Sequence, residues 1–287
     1  MKHALIVLGL GAVVAAVPTP AGATPSTQIW IPSTDVQAFL VPHLNSDVYV
    51  RVQDEPGNGG RKPPLYLFGP TMGILPWQKL QMEVGFDLIW QGISAVDKYP
   101  IYFHGKLGTP EDALFKWQPA IVAGIYNVGV KSDVTNQNIV YGLVGRTFPV
   151  LGRLSVGYFY AHDTLFPDEN GKASNQGLLA SWDRTIKELT PKLWLGVDYQ
   201  GSNSWIGALS FGIGWAFTDN ISMIFGYDWY TNRSVVHAAT GDYLVPGRDT
   251  FTVQLDINLD RLVKTKVPEP KPAPCPCPTP ASGPAPL

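Results

Sequence analysis

Residues 80–90 read LQMEVGFDLIW, and they alternate. Leu80, Met82, Val84, Phe86, Leu88 and Trp90 are apolar, whereas Gln81, Glu83, Gly85 and Asp87 are polar or minimal. Successive side chains leave an extended backbone on opposite sides, so a period of two marks a strand with one oily and one wet face. In a soluble sandwich the oily face meets a second sheet. In an outer-membrane barrel it meets lipid, and the wet face lines the lumen.

The start of the chain favours the second environment. Lys2 and His3 precede the apolar run ALIVLGLGAVVAAV, and AGA follows at 21–23. A basic start, an apolar core short of the roughly 20 residues of a spanning helix, and a small-x-small site together form an export signal. Cleavage is expected after Ala23. No Cys stands directly after the small residues, which argues against a lipoprotein.

Of the 287 residues, 11% are aromatic and 15% charged. The charged share is below the roughly 25% usual in soluble domains. No apolar stretch after residue 23 is long enough for a spanning helix, so the apolar residues must be spread through strands. A formal charge of -2 argues against a nucleic-acid partner. The sequence carries no HExxH, CxxC, P-loop or GxSxG pattern, so no cofactor, metal site or catalytic site is expected.

Twelve strands are predicted, over 36–52, 65–74, 80–90, 101–107, 120–128, 139–147, 154–162, 176–186, 193–201, 205–217, 221–230 and 250–259. LPWQK (75–79), PVLG (149–152), KELTPK (187–192) and TDN (218–220) fall at alternate joins and read as periplasmic turns. QDEPGNGGRKPP (53–64), QGISAVDKYP (91–100), GVKSDVTNQN (129–138), FPDENGKASN (166–175) and residues 231–249 read as outer loops. GTPEDALFKWQP (108–119) is long for a turn, and the join at 201–204 is short for a loop. An even strand count places both barrel ends in the periplasm.

The same dyad recurs in IFGYDWY (224–230), LSFGIGWAF (209–217) and TFTVQLDINL (250–259). Trp77, Trp90, Tyr199, Trp205 and Trp229 are expected in aromatic belts at the membrane interfaces. With the export signal, this rhythm and these strands, the chain resembles bacterial outer-membrane β-barrel proteins, the porin-like channels as a class, across about residues 33–259. The resemblance implies an all-β fold: a signal peptide at 1–23, an antiparallel transmembrane β-barrel at 24–262, and a Pro-rich periplasmic tail at 263–287. Barrels of the class commonly finish on an aromatic residue, whereas this chain continues past Leu259.

The continuation VPEPKPAPCPCPTPASGPAPL cannot form a ladder or a helix, and an extended or disordered tail is expected. It reads equally as a tether to a periplasmic partner or the cell wall and as a dispensable segment. Cys275 and Cys277 suggest cross-links between chains, because no other cysteine exists to pair with them.

The inward face carries Glu83, Asp87, Asp183, Asp198, Asp228 and Asp256 against His104, Lys106 and Arg146. These nine are the expected pore-lining residues. Acid exceeds base, which in an open pore gives a weak cation preference; in a filled one the charges pair within the wall. The expected function is passive passage of small polar solutes or ions through a barrel bathed in outer-membrane lipid. A non-conducting scaffold using its tail is the alternative, and a barrel enzyme using His162–Asp163 or His237 is a weaker one. Solute and oligomeric state are not specified by the sequence.

Overall fold

A computed structural model describes residues 26–54, 60–233 and 249–259. Residues 1–25, where the export signal is expected, the expected tail with Cys275 and Cys277, and most of the stretch at 231–249, His237 included, lie outside the described residues.

The described residues form a closed barrel of twelve antiparallel strands in sequence order. These are β1 (Pro42–Arg51), β2 (Leu65–Gly73), β3 (Gln81–Trp90), β4 (Ile101–Thr109), β5 (Ala120–Gly129) and β6 (Asn136–Phe148). The second half holds β7 (Gly152–Tyr160), β8 (Gln176–Thr185), β9 (Leu193–Gln200), β10 (Ala208–Ala216), β11 (Ile221–Tyr230) and β12 (Thr250–Asn258). Closure comes from β1, which pairs with β2 on one side and with β12 on the other, placing Asn45 opposite both Gly69 and Asp256. No edge is left unpaired, the condition for a sheet in hydrocarbon.

Alternation sets which way each strand faces. In β12, Thr250, Thr252, Gln254 and Asp256 are buried while Phe251 is exposed between them. Around the outside, Phe68, Phe103, Ile121, Val156, Tyr158, Phe211, Ile213 and Phe225 are likewise exposed. An apolar band of this extent is stable only against lipid.

The first strand differs from expectation. It begins at Pro42 rather than 36, and residues 26–41 run inside the barrel. A span of 36–52 is longer than the about 9–11 residues a crossing strand needs. The surplus is an inner hairpin: Thr27 bridges Pro32, Gln28 N–H donates to Ile31 O at 2.7 Å, and Ser33 N–H to Ser26 O at 3.0 Å. Its turn is Ile29–Trp30. Its foot is held by Leu40 N–H on Gly73 O at 2.8 Å, beside the start of β1.

Two loops also fold inward. Trp205, expected in a membrane belt, is 6% exposed and stacks on Phe166 with ring centroids 5.2 Å apart. Its Nε1–H donates to Leu165 O at 2.9 Å, so its indole is satisfied inside the protein rather than at a lipid interface. Together with Ile31, Val122, Ile139, Leu143, Phe159 and Leu179 they form one apolar cluster. A second, of Tyr49, Leu65, Ile89, Ile93, Val96 and Tyr102, includes the short helix α1 (Ser94–Asp97). Trp30 packs against both clusters and meets Tyr49 and Tyr230 edge to face.

Candidate functional site

The lumen is occupied, and its charged wall residues hold the occupant. Glu83 and Lys106 are register partners across β3 and β4, with Oε1 and Nζ 3.3 Å apart. Glu83 Oε2 accepts the Gln37 N–H at 2.6 Å and the Ser26 hydroxyl at 3.2 Å. Lys106 Nζ donates to the carbonyls of Ser26 and Asp35 at 2.6 and 2.7 Å. This pair clamps both arms of the hairpin.

Asp183 accepts from Arg153 Nε at 2.8 Å and from Gln28 Nε2 at 2.9 Å. Arg153 also reaches Asp35 Oδ1 at 2.7 Å. Asp198 accepts the backbone N–H groups of Ile29 and Trp30 at 2.7 and 2.9 Å. From β12, Gln254 Nε2 donates to Ile29 O at 2.6 Å. The Trp30 indole N–H donates to Ile206 O at 2.9 Å, joining the hairpin turn to an infolded loop.

The remaining inward groups bond within the wall. His104 Nδ1 lies 2.9 Å from Asp87, and its Nε2 lies 2.8 Å from the Thr71 hydroxyl. Gly85 makes this reach feasible, because a Cβ there would stand 2.3 Å from His104 Nε2. Asp228 accepts the Thr250 hydroxyl at 2.7 Å, and Asp256 lies 3.2 Å from His43 Nε2.

Arg146 is a correction. In β6 the buried positions are odd-numbered, and Arg146 shares its parity with the outward Val140 and Val144. Its guanidinium leaves the barrel end to bind Asp112 at 2.9 Å and Glu111 at 3.5 Å in the turn at 110–119, and it covers the Trp117 ring at 5.1 Å. These bonds hold the Asp112 carboxyl below the ordinary carboxylate range. The unusual length of that turn is thereby explained: it carries its own charged anchor.

Three inward glycines shape the seat of the hairpin. A Cβ at Gly226 would stand 2.9 Å from Ile29 Cγ2, one at Gly212 3.1 Å from Ile29 Cδ1, and one at Gly145 3.0 Å from Thr34 Cγ2. Only a bare backbone admits the hairpin this closely. Beside it remains a cavity of about 180 Å³, lined by Trp30, Tyr49, Tyr126, Tyr141, Asp47, Asp256 and neighbouring side chains.

The hairpin, Arg153, His43, Asp47 and Gln254 are site residues that the sequence reading did not name. The inward set of β1 was readable from PHLNSDVYVR, where His43, Asp47 and Arg51 alternate with Leu44, Val48 and Val50. At the outer rim, His162 lies beside the Thr164 hydroxyl at 3.0 Å and 3.7 Å from Asp163.

A closed wall without edges, an apolar outside and a polar inside decide the class. This is a transmembrane barrel of the outer-membrane type. No family model matches the chain, and no curated protein matches it either. Among solved structures it is similar to the NanC porin, at 11% identity over 75% of this chain and 98% of the other, with a TM-score of 0.43. It is also similar to the KdgM porin, at 7% identity over 76% and 99% of the two chains, TM-score 0.45. An Escherichia coli outer membrane phospholipase A aligns at 12% identity over 77% and 93%, TM-score 0.42.

Proposed function

We propose that this barrel is a gated outer-membrane channel for small polar solutes or ions, with the 26–41 hairpin as its gate. One observation carries the reading: much of what fills the lumen belongs to a segment outside the wall. None of the twelve strand ladders includes a residue of the hairpin, so withdrawing it breaks no strand pairing of the barrel. What holds it are the side-chain bonds of Glu83, Lys106, Arg153, Asp183, Asp198 and Gln254 and the packing of Ile29, Trp30 and Ile31, while the backbone contacts of Phe39 and Leu40 with Gly73 anchor its foot as a hinge at the start of β1.

Withdrawal would leave Glu83, Asp183 and Asp198, with Lys106 and Arg153, facing a water-filled lumen, and the excess of acid favours cations in a narrow pore. The pore-lining set is therefore Glu83, Asp87, His104, Lys106, Asp183, Asp198, Asp228 and Asp256, joined by Arg153. No catalytic step is part of this reading. Planar-bilayer recording of the chain with and without residues 26–40, in a salt gradient, tests it. Deletion should produce a steady conductance with a cation-sided reversal potential. A silent barrel after deletion would instead favour the scaffold role, in which the tail at 263–287 recruits a periplasmic partner.

A further inference from the structure

The cavity beside the hairpin has a composition unlike a space left over from packing. Its lining includes the aromatic rings of Trp30, Tyr49, Tyr126 and Tyr141 together with a group of carboxylates. Four carboxylates line it, those of Asp47, Glu83, Asp87 and Asp256, against His43, His104 and Lys106. Three of the four have a basic partner, at 3.3 Å for Glu83, 2.9 Å for Asp87 and 3.2 Å for Asp256. Among the described residues no basic group lies within ion-pairing distance of Asp47, which is 8% exposed. Asp256, 3% exposed, has one carboxylate oxygen with no hydrogen-bond partner.

The two carboxylates are neighbours. Asn45 on β1 is the register partner of Asp256 on β12, and Asp47 is two residues further along the same inward face. That diagonal spacing, about 7–8 Å between backbones, lets one small group reach both side chains. A buried carboxylate without a counter-charge is costly: water can satisfy its hydrogen bonds but not its charge, so it either takes up a proton or pairs with a cation, and a bound cation keeps it ionised. Aromatic faces add attraction for a cation and accept an apolar body.

We propose that this cavity binds a small organic ammonium ion, its charge on Asp47 and Asp256 and its apolar part against Trp30, Tyr49, Tyr126 and Tyr141. The size fits, since cavities of about 150 Å³ hold a benzene ring. The inference deepens the channel reading by naming a solute class the lumen holds while shut, and it rests on that reading only for the ligand being cargo.

Calorimetric titration of the purified full-length barrel in detergent, with heats of the empty micelle subtracted, tests it with three probes of one shape: benzylamine, benzyl alcohol and benzoate. Benzylamine should bind about tenfold or more tightly than either of the others, as expected for a charge-assisted contact in a buried site. Asp47→Asn should remove that preference, and so should Asp256→Asn, each in a barrel whose heat-modifiable migration shows it folded. Equal binding of benzylamine and benzyl alcohol overturns the proposal. So does a preference that survives both substitutions, or no binding by any probe. The measurement needs no conduction, so ammonium-selective binding by a barrel that stays silent in bilayers would retire the channel reading and leave the site standing.

Discussion

The carboxylate of Asp198 accepts the backbone N–H of Trp30 at 2.9 Å, and that of Ile29 at 2.7 Å. A single side chain on β9 thus holds the turn of the hairpin, deep inside the barrel, by two charge-assisted bonds. Asp198→Ala leaves both N–H groups without this acceptor. Losing an acceptor for a buried donor costs about 1–3 kcal/mol, so the hairpin should leave its seat roughly tenfold more often. Single-channel open probability reads this directly. An unchanged open probability in a folded variant would mean that the turn is held by packing alone.

Bulk at the glycine seat should act in the same direction. Gly226→Val introduces a Cβ 2.9 Å from Ile29 Cγ2 without touching the outer face. The barrel is expected to fold, because the new atoms point into the lumen, while the hairpin is pushed out. Exposure of residue 30, read by labelling a Trp30→Cys chain that also carries Cys275→Ser and Cys277→Ser with a charged, membrane-impermeant thiol reagent, should rise in the Gly226→Val background. Labelling equal to that of the parent would show that the wall gives way instead.

The lipid face predicts a different kind of loss. Phe211 lies mid-strand on the outside and stacks on Tyr227 at 5.6 Å. Phe211→Arg should cost about 2–4 kcal/mol, the usual penalty for a cation near the bilayer midplane, whereas Phe211→Leu should cost far less. Urea titration in lipid vesicles measures both. Similar losses for the two would contradict a lipid contact at this position.

Strands such as LQMEVGFDLIW and TFTVQLDINL were legible because each has one apolar and one polar neighbour environment, and period two records that locally. Eleven of the twelve observed strands follow the predicted spans to within three residues for this reason, and the first departs where the inner hairpin begins. The hairpin was not legible in that way. Ile29, Trp30 and Ile31 are all apolar in a row, since a segment inside a barrel is surrounded on every side and needs no alternation. Arg146 was misplaced because IVYGLVGR is apolar or small on both faces, so alternation marks no inward side there; the side chain lies on the outward parity and serves the turn at the end of β6. Trp205 failed for a related reason: an aromatic near a strand end can face inward under a folded loop as readily as outward into an interface.

The turn at 110–119 has its own pH signature. Asp112 sits below its ordinary value of 3.8, chiefly through its hydrogen bond from Arg146. A depressed carboxyl contributes stability above the unfolded value and loses it as pH falls through the lowered folded one. The Trp117 N–H, which donates to Asp112 Oδ1 at 2.7 Å, should therefore stay protected at neutral pH and lose protection only below the ordinary Asp range. Arg146→Gln should move that loss to higher pH. Hydrogen exchange at the Trp117 amide, corrected for intrinsic rates, follows it, and identical profiles for the two chains would dissociate Arg146 from the turn.

One reversible bond tests whether the hairpin is the gate. A Cβ at position 145 would stand 3.0 Å from Thr34 Cγ2, the place a cysteine sulfur at position 34 would take, and with an S–S bond of about 2.04 Å a disulfide sets each Cβ about 3 Å from the partner sulfur. Thr34→Cys with Gly145→Cys, in a chain where Cys275→Ser and Cys277→Ser remove the native thiols, ties the hairpin to β6. Recorded in a planar bilayer, the oxidised barrel should show no openings, and reductant added to the same membrane should restore them. Openings that persist with the bond intact, or a barrel that stays silent after reduction, would contradict the account.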